Sequence, residues 1–190
     1  MPLVLLIGDF HIPHRAYTIP PQFTKLLVPN KMQHVLSTGN LCGRETFDYL
    51  KTLTSDIHVV RGDFDDEDSK YPDTKVIRVC NFRIGLCNGH QITPWGDAKA
   101  IEHLAKQLDV DIMVTGNTFT CTAETRNHRL FVDPGSVTGA FSVRKDDDVI
   151  HSFALLDIQQ DVVHTYLYRL INDDVKVDRV VFKKNNMITS

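Results

Sequence analysis

The feature that most restricts the fold is a device used five times: a short apolar run that ends at a glycine with polar residues around it. Leu3 to Ile7 is unbroken and apolar and stops at Gly8-Asp9. His34 to Thr38 runs into Gly39-Asn40, Ile57 to Val60 into Arg61-Gly62-Asp63, and Arg83 to Cys87 into Asn88-Gly89-His90. The stretch VTGNTFTC, Val114 to Cys121, turns at Gly116. Runs of this length without alternation read as strands buried on both faces, the signature of parallel sheets. Open α/β sheets present their polar residues beyond the carboxyl ends of such strands. The five ends are therefore expected to converge on one edge and to line one pocket.

Between these runs the period changes to that of a helix. PPQFTKLL opens on prolines and suggests a short helix, and RETFDYLKTL places Phe47 and Leu50 on one face. DAKAIEHLAKQLDVD is the clearest helix, with Asp97 as its cap and Ile101, Leu104, Ala105 and Leu108 as its buried stripe. Lys75–Cys80 and Arg83–Cys87 suggest an antiparallel pair turning at Asn81-Phe82. After Asp111 the segments 121–125, 128–132, 150–158, 162–171 and 175–183 alternate, with turns at Arg126-Asn127 and Asn172-Asp173-Asp174. The sum is an α/β sandwich: two packed mixed sheets flanked by helices.

Composition narrows the function classes. A chain of 190 residues with 42% apolar content fits one domain, expected over residues 1–184, followed by a polar tail, 185–190, expected to be disordered. The net charge of -3 is spread out, with no basic run of the kind that marks nucleic-acid or membrane-surface binding. Cysteines 42, 80, 87 and 121 show neither a CxxC pair nor zinc-ribbon spacing, and read as reduced thiols of a cytoplasmic protein. MPLVLLIGD is too short for a signal-peptide core and far below the roughly 20 residues of a membrane span. A membrane is expected to be met only indirectly.

Taken singly, each strand end is ordinary turn chemistry. Their order, GDFH, GN, GDFD, NGH and GNTF, resembles the calcineurin-like metallophosphoesterases, whose motifs run DxH, GD, GNH with an acid, GH and GHxH. The resemblance covers about Leu3 to Phe141. It implies a site that holds two divalent metals across a bridging aspartate, activates a bridging hydroxide, and protonates the leaving group from the GNH histidine. Carried over residue by residue, Asp9 and His11 stand at the first metal, and Asn40 replaces the bridging aspartate. Asp63 replaces an asparagine ligand, Phe64 the catalytic histidine, and Asn117 and Phe119 the last two histidines, while His90 is kept. The resemblance thus implies no catalytic residue and no cofactor. At most one weakly bound divalent metal would use the residual positions Asp9, His11, Asn40, Asp63, His90 and Asn117, and Phe119 is expected to fill the old metal cavity.

LLIGDFHIPHR, STGNLC, FDYLKTL, HVVRGDFD, NGHQITPWGD, VDPGSVTGA and INDDVKVDR resemble more closely one non-catalytic branch of that family, the small subunit of the retromer complex. That likeness implies a scaffold on endosomes that caps a large α-solenoid subunit through Phe64, Ile92, Thr93, Trp95 and Phe119. It also implies an apolar patch on the opposite side, at Leu27, Leu155, Tyr166, Tyr168 and Val177, that recruits regulators of small GTPases. Two rivals remain open at this point. One is a weak phosphodiesterase with one metal at Asp63 and His90; the other is a phosphate-sensing module built on the loop amides of Gly8, Gly62 and Gly89.

Overall fold

A computed structural model describes residues 1–143, 145 and 147–184. The strands are β1 (Leu3–Ile7), β2 (His34–Ser37), β3 (Ile57–Val59), β4 (Thr74–Val79), β5 (Phe82–Cys87), β6 (Ile112–Val114), β7 (Thr122–Arg126), β8 (Arg129–Asp133), β9 (Ser152–Gln159), β10 (Val162–Ile171) and β11 (Asp174–Lys183). The helices are α1 (Pro21–Thr24), α2 (Arg44–Leu53) and α3 (Ala98–Gln107). No helix among the described residues is long and apolar enough to cross a membrane. The tail expected to be disordered, 185–190, lies outside the described residues.

The strands form two mixed sheets. One runs β11-β10-β9-β1-β2-β3 and the other β4-β5-β6-β8-β7. In the first, β1, β2 and β3 are parallel and β9, β10 and β11 extend them antiparallel. In the second, β5, β6 and β8 are parallel, with β4 and β7 antiparallel at the edges. The two inner faces meet in one core that joins Val4, Leu6 and Leu36 to Phe82, Ile84, Ile112 and Val132. Burial of these side chains between the sheets is the main stabilising term, at about 2 kcal/mol each.

Helices cover the outer faces. α1 and α2 deliver Phe23, Leu50 and Leu53 to a second cluster with Leu5, Ile7 and Phe153. α3 is capped by Asp97, whose Oδ2 accepts from the Ala100 N–H at 2.8 Å, and it packs Ile101 and Ala105 on Met113 and Phe131. Two turns lie one residue from where the sequence alone places them: Cys80 (φ 51°) rather than Phe82 makes the β4–β5 turn with Asn81, and Asn127 and His128 turn between β7 and β8. Asn172 and Asp173 turn between β10 and β11, within the expected stretch. In each, strand pairing runs up to a two-residue loop that includes positive φ, the loop length that hairpins favour.

The glycines at the strand ends let the loops approach one another closely. A Cβ on Gly8 would lie 1.8 Å from Thr38 Oγ1, one on Gly116 2.8 Å from the same atom, and one on Gly62 2.1 Å from Asn40 Oδ1. The ends of β1, β2, β3 and β6 thus interlock around Thr38 and Asn40. Thr38 Oγ1 is buried with no hydrogen-bond partner, so its hydroxyl is a spacer rather than a bond. Gly8→Ala is expected to lower stability by about 2 kcal/mol through overpacking. Thr38→Ala in the same chain is expected to restore about half of that. Urea unfolding of the two single variants and the double variant checks it, since strictly additive losses would show that the two positions do not collide.

Candidate functional site

At the edge where those ends meet, Asp9, His11, Asn40 and Asn117 are all buried. Asp9 (φ 47°), His11 (φ 49°), Asn40 (φ 55°), Asn117 (φ 66°) and Phe119 (φ 56°) all adopt the left-handed backbone. Asp and Asn tolerate that conformation, whereas for His11 and Phe119 it costs on the order of 1 kcal/mol or more. The loops are held in this form by bonds from elsewhere. Ser136 Oγ donates to the Asp9 carbonyl at 2.6 Å and Thr138 Oγ1 to the Phe10 carbonyl at 2.7 Å. Asp65 accepts from the Asn40, Gly62 and Cys42 N–H groups at 2.8, 2.9 and 3.0 Å.

Asn40 occupies the centre. Its Nδ2 donates to Asp9 Oδ1 at 2.9 Å and to Asp63 Oδ1 at 3.0 Å, and its Oδ1 accepts from the Phe64 N–H at 2.9 Å. Both amide hydrogens and the amide oxygen are engaged. The other oxygen of Asp9 accepts from the Asn117 N–H at 3.0 Å. Complete burial pushes the Asp9 carboxyl up to about 7, against the lowering effect of the Asn40 and Asn117 bonds. Neighbouring Asp133 is likewise pushed up to about 7 by burial, although Thr118 Oγ1 and the Gly135 N–H donate to it.

An aromatic stack closes the pocket. The Phe119 ring lies on His11 with centroids 5.6 Å apart and planes at 19°, and the Phe64 ring meets His11 edge-on at 5.3 Å. The Arg15 guanidinium lies over Phe64, 4.1 Å from its centroid. Burial, and secondarily the Arg15 charge, pushes His11 down to about 4, so at neutral pH it is an uncharged imidazole. Its ring nitrogens have no hydrogen-bond partner, and Nε2 stands 3.8 Å from Asp9 Oδ1.

These residues do not fit a two-metal centre. A bridging ligand offers an anionic oxygen to both ions, but Asn40 turns N–H groups toward both carboxylates and its oxygen is taken by Phe64 N–H. The amide bridges the two acids as a proton-bearing group, where ions would have bridged them as charges. Asp9 and His11 remain close enough to hold one divalent ion between them. The exposed Asp63 belongs to the other half with His90, whose Nδ1 is within 2.9 Å of Asn88 Oδ1. No group here can donate a proton from the position of Phe64, since a phenyl ring has none to give.

The expected site residues thus separate. Asp9, His11, Asn40, Asp63 and Asn117 are brought together by bonds or close approach, and Phe119, named for the solenoid side, is 4% exposed because it stacks on His11 and packs with Ala140 and Val149. Of the residues assigned to the solenoid side, Phe64 and Trp95 are exposed at 46% and 54%, and Thr93 is exposed as well. Ile92 is not available for contact: it packs with Cys87, Ile101 and Ala105 under α3, because the loop after β5 folds back on the sheet. On the opposite side Leu27 is also buried, because the chain after α1 turns it into the cluster on which the half-buried Leu155 and Tyr168 pack. Tyr166 and Leu155 are register partners, as are Tyr168 and Val177. Sequence reasoning missed Asp65, Arg15, Ser136 and Thr138. The second acid of GDFD and the S-x-T in GSVTG were the available signals.

Comparison with known proteins fits this geometry. The calcineurin-like phosphoesterase superfamily domain matches residues 3–161. The vacuolar protein sorting-associated protein 29 of Schizosaccharomyces pombe is 38% identical over 96% of this chain and 98% of its own. The crystal structure of Chaetomium thermophilum Vps29 superposes with a TM-score of 0.92 at 35% identity, over 97% of this chain and 100% of that one. Entamoeba histolytica Vps29, solved in complex with Zn2+, superposes with a TM-score of 0.89 at 46% identity, over 95% and 99%.

Asn40→Asp tests the bridging amide. It replaces two donated hydrogen bonds by a third carboxylate between Asp9 and Asp63. In a chelator-containing buffer at pH 7 the variant is expected to lose about 3 kcal/mol in urea unfolding. Unchanged stability would show that the amide is not what reconciles the two acids.

Proposed function

The chain belongs to the vacuolar protein sorting-associated protein 29 branch of the calcineurin-like phosphoesterase superfamily, and from that premise we propose that it is a non-catalytic scaffold subunit of a retromer complex. In this reading one phosphoesterase-fold unit, 1–184, caps a large α-solenoid subunit with the side that once carried metals. Its other side recruits regulators of small GTPases through Leu155, Tyr166, Tyr168 and Val177. The protein works in the cytoplasm, peripheral on endosomes, in the retrieval of cargo receptors.

The observation that carries the reading is the pairing of a closed pocket with a preset apolar rim. Trp95 is 54% exposed, yet its Nε1 donates to the His90 carbonyl at 2.8 Å, so the ring is oriented before any partner arrives. An oriented tryptophan beside the exposed Phe64 loses little side-chain entropy on docking, the property of an interface anchor. The alternative, a weak phosphodiesterase with one metal, draws on the carboxylate of Asp63 and the imidazole of His90 at the open side of the pocket. It lacks a general acid at Phe64 and has no anionic bridge at Asn40.

Capture of the tagged chain from its own cytosol, with the bound proteins identified by mass spectrometry, tests the proposal. A large helical-repeat protein in stoichiometric amount is expected with the wild-type chain and with Val177→Asp. At least tenfold less is expected with Trp95→Ala. Recovery of the chain alone, or equal recovery by the Trp95 variant, would overturn the assignment of this rim.

A further inference from the structure

Far from the pocket, two strands bring a second set of metal-binding side chains together. β2 and β3 pair in parallel with Val35 opposite Ile57 and Leu36 opposite His58, which places His34 opposite Asp56. Alternation along the strands then puts His34, Asp56 and His58 on the face that bears Leu36. The side chains converge. His34 Nδ1 is hydrogen-bonded to Asp56 Oδ2, and His58 Nε2 stands 3.1 Å from Asp56 Oδ1. Among the described residues this is the one place where three donor atoms from His, Cys, Asp or Glu lie within 4.8 Å of one another; the old phosphoesterase pocket offers no such group.

We propose that His34, Asp56 and His58 form a binding site for a zinc-like divalent transition metal, with a fourth position open to solvent. Ligand atoms about 2.0–2.2 Å from a tetrahedral ion lie roughly 3.4 Å apart, and the three donor atoms here all lie within 4.8 Å of one another, so side-chain rotation is what closure asks for. Two imidazoles and one carboxylate select borderline ions such as Zn2+ and Co2+ over Mg2+ and Ca2+, which take oxygen ligands. The nearby Lys75 charge acts against any bare cation, and it leaves imidazole coordination as the route by which binding is won. His58 Nδ1 is buried without a hydrogen-bond partner, so the ring can reorient toward an ion without breaking a second bond. Side-chain exposures of 24% for His34, 46% for Asp56 and 18% for His58 leave an entry path on the Asp56 side.

The site lies at the amino-terminal ends of β2 and β3, whereas the pocket lies beyond their carboxyl ends, so the two can be separated by mutation. Co2+ is titrated into the full chain and the visible band of four-coordinate cobalt is followed, with Zn2+ as competitor. The wild-type chain and a His11→Ala, His90→Ala variant, which removes an imidazole from each half of the pocket, are expected to bind one equivalent alike. His34→Gln and His58→Gln are each expected to weaken binding at least tenfold, and to abolish the rise in melting temperature that Zn2+ gives the wild type. Asp56→Asn, a nearly isosteric change at a half-exposed position, carries the same expectation should either histidine variant fold poorly. Absence of a cobalt band, or binding lost in the pocket variant and kept in these three, would overturn the proposal.

Discussion

Two carboxylates, Asp9 and Asp63, point at one spot in a largely buried loop cluster, and everything around the pocket depends on how their charge is reconciled. In a metal-bearing site the reconciling groups would be cations. Here it is the single amide of Asn40, which gives one N–H to each acid and ties its oxygen to the Phe64 backbone. Burial contributes from the other direction by pushing Asp9 up to about 7, so part of the negative charge is removed by protonation. Once the acids are satisfied in this way, the cavity above them is free to fill with rings. Phe119 stacks on His11, Phe64 meets it edge-on, and Arg15 caps Phe64.

That arrangement links the fold to the proposed role. The left-handed residues at the strand ends aim their side chains into the loop cluster, a conformation that must be held by its surroundings. Asp65, Ser136 and Thr138 hold the loops through their backbone groups. A loop cluster that rigid is a ready docking surface, since a partner meets it already ordered. Trp95, whose indole is held to the His90 carbonyl, and Phe64, whose backbone N–H is held by the Asn40 amide, are exposed rings that the cluster presents.

Much of this was legible in the sequence because it rests on short-range rules. Apolar runs ending at glycine located the parallel strands, Asp97 marked the start of α3, and the ordered motifs placed Asp9, Asn40 and Asn117 at one edge. The rest depends on contacts between distant segments. Ile92 and Leu27 are contact residues by the family resemblance, yet both are buried, since nothing local tells whether a neighbouring loop folds over an apolar residue. The structural role of Asp65 was hidden in the same way, because its three backbone partners come from two loops. The His34, Asp56 and His58 cluster arises from the parallel register of β2 on β3, a pairing that no motif in either strand encodes.

The most direct test of the central claim, that a bridging amide and a ring-filled cavity have replaced phosphoester chemistry, is hydrolysis of bis(p-nitrophenyl) phosphate by the purified chain with Mn2+ in excess. The account predicts a rate equal to that of Mn2+ with no protein, and the same rate for His90→Ala. Turnover above that background which disappears in His90→Ala would contradict it, and would mean that Asp63 and His90 still hold a catalytic ion.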